Sequence, residues 1–287
     1  MRDLDLGRYA REWALPRQTQ QQDPLIPYFM VGSEGIDLQV ERQMQRLCSW
    51  TAHDYVAIWR RIRSDKRINL SEEDPNESDA DTIVNGYYPT PDAEIYAAMI
   101  TDLRPSLIVE VGAGFSTLVA RHAIDYLGGD CQLVAVDPNP RTSVLEAADD
   151  VALSRVEDID LGAWQWQENS ILFIDSNHIC RPRGDLPARY CMGIPDLPTG
   201  VVVHVHDIYL PWDYPAVYDE WLWTEQYLLH CLLAHTARYE VLFATHYMTR
   251  THPAEMRALF GPKVGRKGRF SGASFWFRVR SDQPIFK

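Results

Sequence analysis

Short apolar runs alternate with amphipathic segments along residues 89–280 of the chain. Seven such runs, each four to seven residues long and interrupted by turn residues, have the composition of buried strands. They occupy residues 107–111, 133–136, 151–156, 171–174, 201–205, 239–245 and 274–279. Because short apolar strands that alternate with helices are typical of a parallel sheet covered on both faces, the pattern predicts a doubly wound α/β domain.

The segments between these strands have the apolar spacing of helices. Helices are predicted at 92–102, 116–127, 143–148 and 221–235, and another after Pro253. A turn that contains Gly265, Gly268 and Gly272 precedes the seventh strand, and such a turn permits that strand to run antiparallel to the others. The expected sheet therefore has seven mostly parallel strands with an antiparallel last strand.

The N-terminal part of the chain lacks this alternation. Residues 1–36 are polar and contain several prolines, which predicts a loosely packed arm, whereas 38–63 have apolar residues at helical spacing. Residues 71–81 carry six acids without apolar periodicity and are interpreted as a surface loop. We therefore expect an N-terminal arm and helical cap over 1–83 and the main domain over 84–287.

Composition and charge narrow the classes of function. The 287 residues carry a net charge of −12, which argues against a nucleic-acid substrate because phosphate backbones are bound mainly by Lys and Arg. One basic run departs from this balance and is interpreted as a solvated helix face. It consists of Arg60, Arg61, Arg63, Lys66 and Arg67.

The expected location is cytoplasmic. No apolar run approaches the ~20 residues that span a bilayer, and the start of the chain lacks the apolar segment of a secretory signal. The five cysteines are an odd number without CxxC spacing, a pattern that fits a reduced protein rather than a disulfide scaffold or a zinc ribbon.

The turn after the first strand is a candidate ligand site. Gly112 and Gly114 allow a ligand to approach the backbone, but a dinucleotide fingerprint needs a third glycine where this chain has Thr117. Glu110 would repel phosphate and suits a cationic, amine-bearing ligand. Asp137 ends the second strand, where a carboxylate binds ribose hydroxyls. A ribose, a positive charge and no phosphate describe S-adenosylmethionine. The alternative is an ordinary strand-to-helix turn with Asp137 as a helix cap.

The run LIVEVGAGFST at 107–117 resembles the first motif of class I S-adenosylmethionine-dependent methyltransferases, and Val136-Asp137-Pro138 resembles their second, acidic motif. Three more segments are similar to a bacterial small-molecule methyltransferase group with a His-Asp motif after the fifth strand: LFIDSNH at 172–178, HVHDIYLP at 204–211 and WTEQYLL at 223–229. The resemblance implies a seven-stranded Rossmann-like methyltransferase sheet. It implies cofactor-binding roles for Tyr88, Glu110, Gly112, Ala113, Gly114, Ser116, Thr117, Asp137, Pro138, Asp158 and Asp175.

Polar residues at the ends of the fourth and fifth strands are candidates for catalysis. Asp175 and His178 follow the fourth strand, and His206 and Asp207 follow the fifth. Ends of adjacent parallel strands lie ~5 Å apart, so these groups are expected to converge. One possibility is base catalysis by His178 or His206 together with Asp207. The other is a divalent metal ion held by Asp175, His206 and Asp207, which resembles some class I O-methyltransferases.

The leading interpretation is methyl transfer from S-adenosylmethionine to an oxygen or nitrogen of a small molecule, with natural-product biosynthesis as one setting for such an enzyme. A metal-dependent enzyme with other chemistry on the same fold is the alternative, and a non-catalytic binding module is a third. The expected partner is a small-molecule acceptor, and neither nucleic acid nor membrane is expected. The oligomeric state stays open, a homo-oligomer included. His204, inside the fifth strand, is interpreted as a buried structural histidine.

Overall fold

The computed structural model describes residues 33–51, 53–70, 82–266 and 269–281. The acidic segment 71–81 and all but the last residues of the predicted arm lie outside these ranges. The described residues form one sheet with helices on both faces.

The sheet has seven strands in the order β3-β2-β1-β4-β5-β7-β6. The strands are β1 Leu107–Val111, β2 Gln132–Val136, β3 Asp150–Ala152, β4 Ile171–Ile174, β5 Val202–Val205, β6 Tyr239–Ala244 and β7 Phe275–Val279. Strands β1 to β5 pair in parallel, whereas β7 is antiparallel to both β5 and β6. The predicted doubly wound sheet with an antiparallel last strand is confirmed.

The described residues contain ten α-helices. They are α1 Val40–Ser49, α2 His53–Ser64, α3 Asp92–Leu103, α4 Phe115–Leu127, α5 Thr142–Ala147, α6 Asp185–Ala188, α7 Ile194–Asp196, α8 Glu225–Leu233, α9 Thr245–Thr251 and α10 Pro253–Phe260. A π-helical turn, Arg189–Gly193, joins α6 to α7. None of the helices among these residues is long and apolar enough to cross a membrane.

Two predicted elements are wrong in extent. The third strand ends at Ala152 rather than 156, since Val156 begins a 3₁₀ turn and Leu153 is exposed. The helix predicted at 221–235 starts only at Glu225, because Leu222 has a left-handed backbone (φ 55°) that a helix does not accept. The sequence analysis also missed α6, α7 and α9, which are short and lack a full helical period of apolar residues.

Alternate residues of the buried strands belong to two different hydrophobic cores, one on each face of the sheet. In β1, Ile108 packs in one core and Val109 in the other. In β4, Phe173 belongs to the first core and Leu172 to the second. This period of two explains why the strands read as continuous apolar runs, since both of their faces are buried.

The helical cap shares the first core with the main domain. Trp50 and Trp59 of the cap are buried against Phe260 of α10. Arg63, one of the run expected to be solvated, instead turns inward and donates from Nε to the fully buried Glu94 at 3.0 Å. The cap is thus held to the main domain by packing and by a partly buried ion pair with α3.

Asp102, near the end of α3, binds both cap helices. Its carboxylate accepts from Arg46 at 2.5 Å, from the buried Trp50 indole at 3.1 Å and from the Tyr55 hydroxyl at 2.6 Å. Hydrogen bonds to a charged group contribute about 1.5–3 kcal/mol each, and a buried donor left unpaired adds a penalty.

We predict that Asp102→Ala lowers the free energy of unfolding by about 2–4 kcal/mol, measured by chemical denaturation. Asp125→Ala in α4 is the matched control, because Asp125 forms only an exposed pair with Arg121 and its loss costs under about 0.5 kcal/mol. Equal effects of the two substitutions would show that Asp102 does not anchor the cap.

Candidate active site

Two clefts open at the carboxyl ends of the parallel strands. The first cleft, of about 390 Å³, is bordered by the loops after β1, β2 and β4. The second cleft, of about 660 Å³, is bordered by the loops after β4 and β5 and by residues 269–273. Tyr87, Asp175 and Ser176 line both clefts. Ligands in the two clefts would therefore lie side by side, with Asp175 between them.

Gly112 brings the loop after β1 against the loop after β4. It has a left-handed backbone (φ 81°), and a Cβ at this position would lie 2.0 Å from the backbone oxygen of Asp175. Only glycine fits there. The next residue, Ala113, donates its backbone N–H to Oδ2 of Asp137 at 3.2 Å. The turn is thus fixed between the ends of β2 and β4.

Glu110 lies beneath this turn, where the sequence analysis expected it to meet a cationic ligand. Its side chain is fully buried, accepts from the Tyr96 hydroxyl at 2.9 Å and accepts from the Thr117 hydroxyl. The same Thr117 oxygen accepts from the backbone N–H of Gly114 at 3.1 Å. Thr117 therefore links the buried acid to the turn, which explains the threonine at the position of a third glycine.

Burial raises the pKa of Glu110 from 4.5 to about 7, although the hydrogen bonds from Thr117 and Tyr96 partly oppose the shift. The charged form is penalised because burial removes its water, and the charge of Asp175 adds to the shift. Glu110 thus acts on a ligand through the loop that it supports.

Eight of the eleven residues expected to bind a cofactor line the first cleft. They are Tyr88, Gly112, Ala113, Gly114, Ser116, Asp137, Pro138 and Asp175. Glu110, Thr117 and Asp158 do not line it, whereas Glu157, the residue before Asp158, does. Asp137 is partly exposed, so its carboxylate keeps acceptor capacity beyond the bonds that it forms with the N–H groups of Ala113 and Asn139.

Asp175, His178 and Asp207 converge in the second cleft, at the carboxyl ends of β4 and β5. One ligand atom from each lies within 4.8 Å of the others, an arrangement that can hold a metal ion. His178 Nε2 is 3.2 Å from Asp207 Oδ2 and 3.8 Å from Asp175 Oδ1. We call these three residues the rim triad. It contains His178 where the sequence analysis expected His206 as the third ligand.

His206 lies next to the rim triad and lines the second cleft, although it is almost fully buried. Its Nδ1 is 3.5 Å from Asp175 Oδ2, and its Nε2 is 3.4 Å from Asp92 Oδ2. Its ring thus bridges the triad to α3. Burial would lower the pKa of His206, but the charges of Asp207 and Asp175 outweigh burial and raise it well above 6.5.

The charges of the rim triad depend on one another. Burial would lower the pKa of His178, but hydrogen bonds with Asp207 and Glu225 raise it to about 10. Burial would likewise raise the pKa of Asp175, whereas the charges of His206 and His178 lower it. The charges of His206 and His178 therefore favour the ionised form of Asp175.

Three residues that support the site were missed in the sequence. Glu225, fully buried, accepts at Oε2 from His178 Nδ1 at 2.7 Å, and its Oε1 lies 3.3 Å from the buried Arg189. Asp92 accepts from the backbone N–H groups of Ala273 and Ser274. Glu225 lies within the WTEQYLL segment, which was a usable signal. Asp92 and Arg189 have no local signal, since only tertiary packing brings them here.

His204 is buried in an aromatic environment, as expected for a structural histidine. Its ring stacks on Trp276 with centroids 3.7 Å apart and contacts Phe173 edge to face at 4.6 Å. Neither ring nitrogen has a hydrogen-bond partner among the described residues, and burial lowers the pKa of His204, so the ring is neutral.

Comparisons with known proteins found only low similarity. No family model and no curated protein matches the chain. The SAH-bound crystal structure of the Podospora anserina methyltransferase PaMTH1 is 13% identical, with a TM-score of 0.41 over 84% of this chain and 97% of that one. The mycolic acid cyclopropane synthase CmaA1 complexed with SAH and CTAB is 12% identical, with a TM-score of 0.34 over 84% and 97%. The apo-form of CmaA1 is 10% identical, with a TM-score of 0.33 over 79% and 99%.

These similarities are too low to carry function. The fold assignment rests on the strand order and on the antiparallel β7, which are those of the Rossmann-like methyltransferase fold. The resemblance stated from the sequence motifs is confirmed at the level of this fold.

The buried Glu110 predicts a pH dependence of stability. Because its folded pKa lies above its ordinary value, the folded state retains a proton that the unfolded state loses between pH 4.5 and about 7. The contribution of Glu110 to the free energy of unfolding therefore decreases as the pH rises through that window. We predict that, from pH 5 to 8, the free energy of unfolding of the natural protein falls by about 2–3 kcal/mol relative to Glu110→Gln.

Denaturant titrations of both proteins across the pH range measure this difference. Titrations of the groups that the two proteins share cancel in the difference between their free energies of unfolding. A difference that does not change with pH would show that Glu110 titrates normally despite its burial.

Proposed function

We propose that the protein is an S-adenosylmethionine-dependent methyltransferase that modifies an oxygen or nitrogen of a small molecule. The observation that carries the proposal is the meeting of the two clefts at Asp175, with a glycine turn and a ribose-type carboxylate in one and a polar rim in the other. Donor and acceptor ligands would meet there.

The residues of the first cleft fit the proposed cofactor. Asp137 has acceptor capacity for the ribose hydroxyls, and the turn from Gly112 to Gly114 leaves its backbone accessible, with open space where a Cβ of Gly114 would lie. The ionised Asp175 suits the positive sulfonium. S-adenosylmethionine, when bound, supplies the methyl group.

The chain's own residues act mainly by positioning. Methyl transfer is an in-line displacement in which the acceptor forms a bond to the methyl carbon as the methyl–sulfur bond breaks, and the sulfur keeps the electron pair. A protein accelerates such a step by holding the reactants in line and excluding water. Asp175, at the junction of the clefts, is placed to orient both reactants, and an acceptor proton leaves toward the rim triad or solvent.

We further propose that the rim triad binds a divalent cation. Two carboxylates and one imidazole are a ligand set that suits divalent cations from Mg²⁺ to Zn²⁺. Such an ion would lower the pKa of an acceptor hydroxyl. The competing version uses a histidine as a general base without metal. The convergence of the three ligand atoms favours the metal version, and the same site supports the alternative of a metal-dependent enzyme without methyl transfer.

The proposed acceptor is a small molecule rather than a nucleic acid, and the proposed location is cytoplasmic. The net charge of −12 supports the first point. All five cysteines are free, which is compatible with a reducing compartment. Natural-product biosynthesis remains one setting for such an acceptor.

We predict that calorimetry detects S-adenosylhomocysteine binding with micromolar or lower dissociation constant, and much weaker binding of NAD. Asp137→Ala should weaken S-adenosylhomocysteine binding about 10- to 100-fold, because hydrogen bonds to a charged group contribute about 1.5–3 kcal/mol. Asp149→Ala, on the surface and outside the first cleft, is the control and should bind normally. Tighter binding of NAD than of S-adenosylhomocysteine would refute the cofactor assignment.

We predict that His206→Ala and Asp207→Ala each reduce methyl transfer at least about 100-fold and leave S-adenosylhomocysteine binding nearly unchanged, since both residues belong to or support the rim. Methyl transfer is followed as the S-adenosylhomocysteine formed in the presence of each acceptor of a panel.

We also predict that calorimetry with Mn²⁺ shows one binding site and that Asp175→Asn abolishes this binding.

Four results would separate the metal version, the base version and the alternative enzyme class. Loss of turnover on chelation, with recovery on adding Mg²⁺ or Mn²⁺, supports the metal version, whereas turnover that is indifferent to chelator contradicts it. Full turnover of both rim variants would contradict any catalytic role of the rim. Metal binding without methyl transfer to any acceptor would favour the alternative enzyme class.

A further inference from the structure

The second cleft has an unusual apolar lining. Among its described lining residues, the aliphatic side chains are only Val84 and Ala273, and the rest of the apolar surface comes from rings. Two of these residues are prolines, Pro89 and Pro215. The other six are aromatic: Tyr87, Tyr209, Tyr218, Trp221, Trp223 and Phe270.

Three of the aromatic residues form a continuous surface, which we call the aromatic wall: Tyr218, Trp221 and Trp223. The rings of Tyr218 and Trp223 stack with centroids 4.1 Å apart and an interplanar angle of 16°. Trp221 lies 5.3 Å from Trp223 at 63° and remains 55% exposed. A cluster of exposed tryptophan surface inside a cleft is costly to leave hydrated and is typical of a ligand site.

The aromatic wall begins directly beside the rim triad. The centroids of the Trp223 and His178 rings are 4.3 Å apart. The backbone holds this contact, because the N–H groups of Thr224 and Glu225 both donate to the carbonyl oxygen of His178, at 2.7 and 3.1 Å. The Thr224 hydroxyl also accepts from the N–H of Cys180 at 2.8 Å. A ring that packs against the exposed part of the aromatic wall therefore lies beside the rim triad.

We propose that the acceptor is a planar, unsaturated ring compound that stacks on the aromatic wall and presents its methyl-accepting group at the ring edge to Asp175 and Asp207. Aromatic faces bind other unsaturated rings in stacked or edge-to-face geometry, beyond the energy of simple burial. A flexible alkyl acceptor would instead fit an aliphatic lining, whereas the described lining is mainly aromatic, with Val84 and Ala273 as its only open-chain aliphatic side chains. This inference rests on the proposed methyl transfer and names its substrate class.

The test compares two diols of one skeleton: a naphthalenediol with adjacent hydroxyls and the saturated decalindiol with the same hydroxyl positions. Both place their hydroxyls at the same ring positions, but the compounds differ in ring planarity and in hydroxyl acidity, and substitutions in the aromatic wall separate these two causes. Dissociation constants are measured by calorimetry on the full chain saturated with S-adenosylhomocysteine, and methyl transfer is measured with S-adenosylmethionine. We expect the naphthalenediol to bind at least about tenfold more tightly and to be methylated preferentially.

Substitutions in the aromatic wall test whether the wall causes the preference for the naphthalenediol. Trp221→Leu and Trp223→Leu should each remove most of the tenfold difference, whereas Trp223→Phe, which keeps a ring, should retain much of it. Leu222→Ala is the matched control, since Leu222 lies between the two tryptophans, is exposed and does not line the second cleft. Normal S-adenosylhomocysteine binding by each variant verifies that it is folded.

Different outcomes overturn different statements. Equal affinity for the two diols, or an unchanged preference in both leucine variants, would overturn the substrate class while leaving methyl transfer intact. Tighter binding of decahydroquinoline, a saturated cation of the same size, than of the naphthalenediol would also overturn it and assign the wall to cation binding. Failure to bind S-adenosylhomocysteine would instead refute the proposed function itself.

Discussion

The close approach of Gly112 to Asp175 determines the geometry of the whole site. The N–H of Asp175 donates to the carbonyl oxygen of Val111 at 2.8 Å, which continues the pairing of β1 with β4 beyond the strand ends. The missing side chain of Gly112 then lets the Asp175 carbonyl oxygen lie where a Cβ would be. With its backbone held in this way, Asp175 projects its carboxylate into the junction of the two clefts. Any residue other than glycine at 112 would push that junction apart.

A second constraint is the burial of charge around the rim. Asp92, His206, Asp175, His178 and Glu225 form a continuous series of ion pairs, and Glu225 is in turn paired with Arg189. Buried charges cost desolvation free energy, and apolar residues of similar size often give equal or greater stability. A series of this length at the edge of a ligand cleft is therefore better explained by a role in function than by a contribution to stability. It holds the imidazole and carboxylates of the rim in one orientation, so that little reorganisation is needed when ligands bind.

The cap contributes to this arrangement through α3. Glu94 and Asp102 on that helix receive the side chains of the cap, whereas Asp92 at its N-terminus holds both His206 and the backbone before β7. One helix thus connects the cap, the site and the antiparallel end of the sheet. The packing of Trp50 and Trp59 into the sheet's own core makes cap and domain a single structural unit in the described residues.

The sequence by itself determined the strands, the burial of both faces of the sheet and the glycine turn. These features depend on local composition and on the alternation of side chains along a strand. It also indicated Asp137, Asp175, His178 and Asp207, since residues that end parallel strands must meet at one sheet edge. Only the tertiary structure decided that His178 rather than His206 joins the triad, because strand position does not state which way a loop side chain turns. It also decided that Glu110 supports the turn from below, and that Asp92, Arg189 and Glu225 belong to the site. The WTEQYLL segment was a signal for Glu225, whereas Asp92 and Arg189 come from distant segments and their proximity depends on packing that no local pattern encodes.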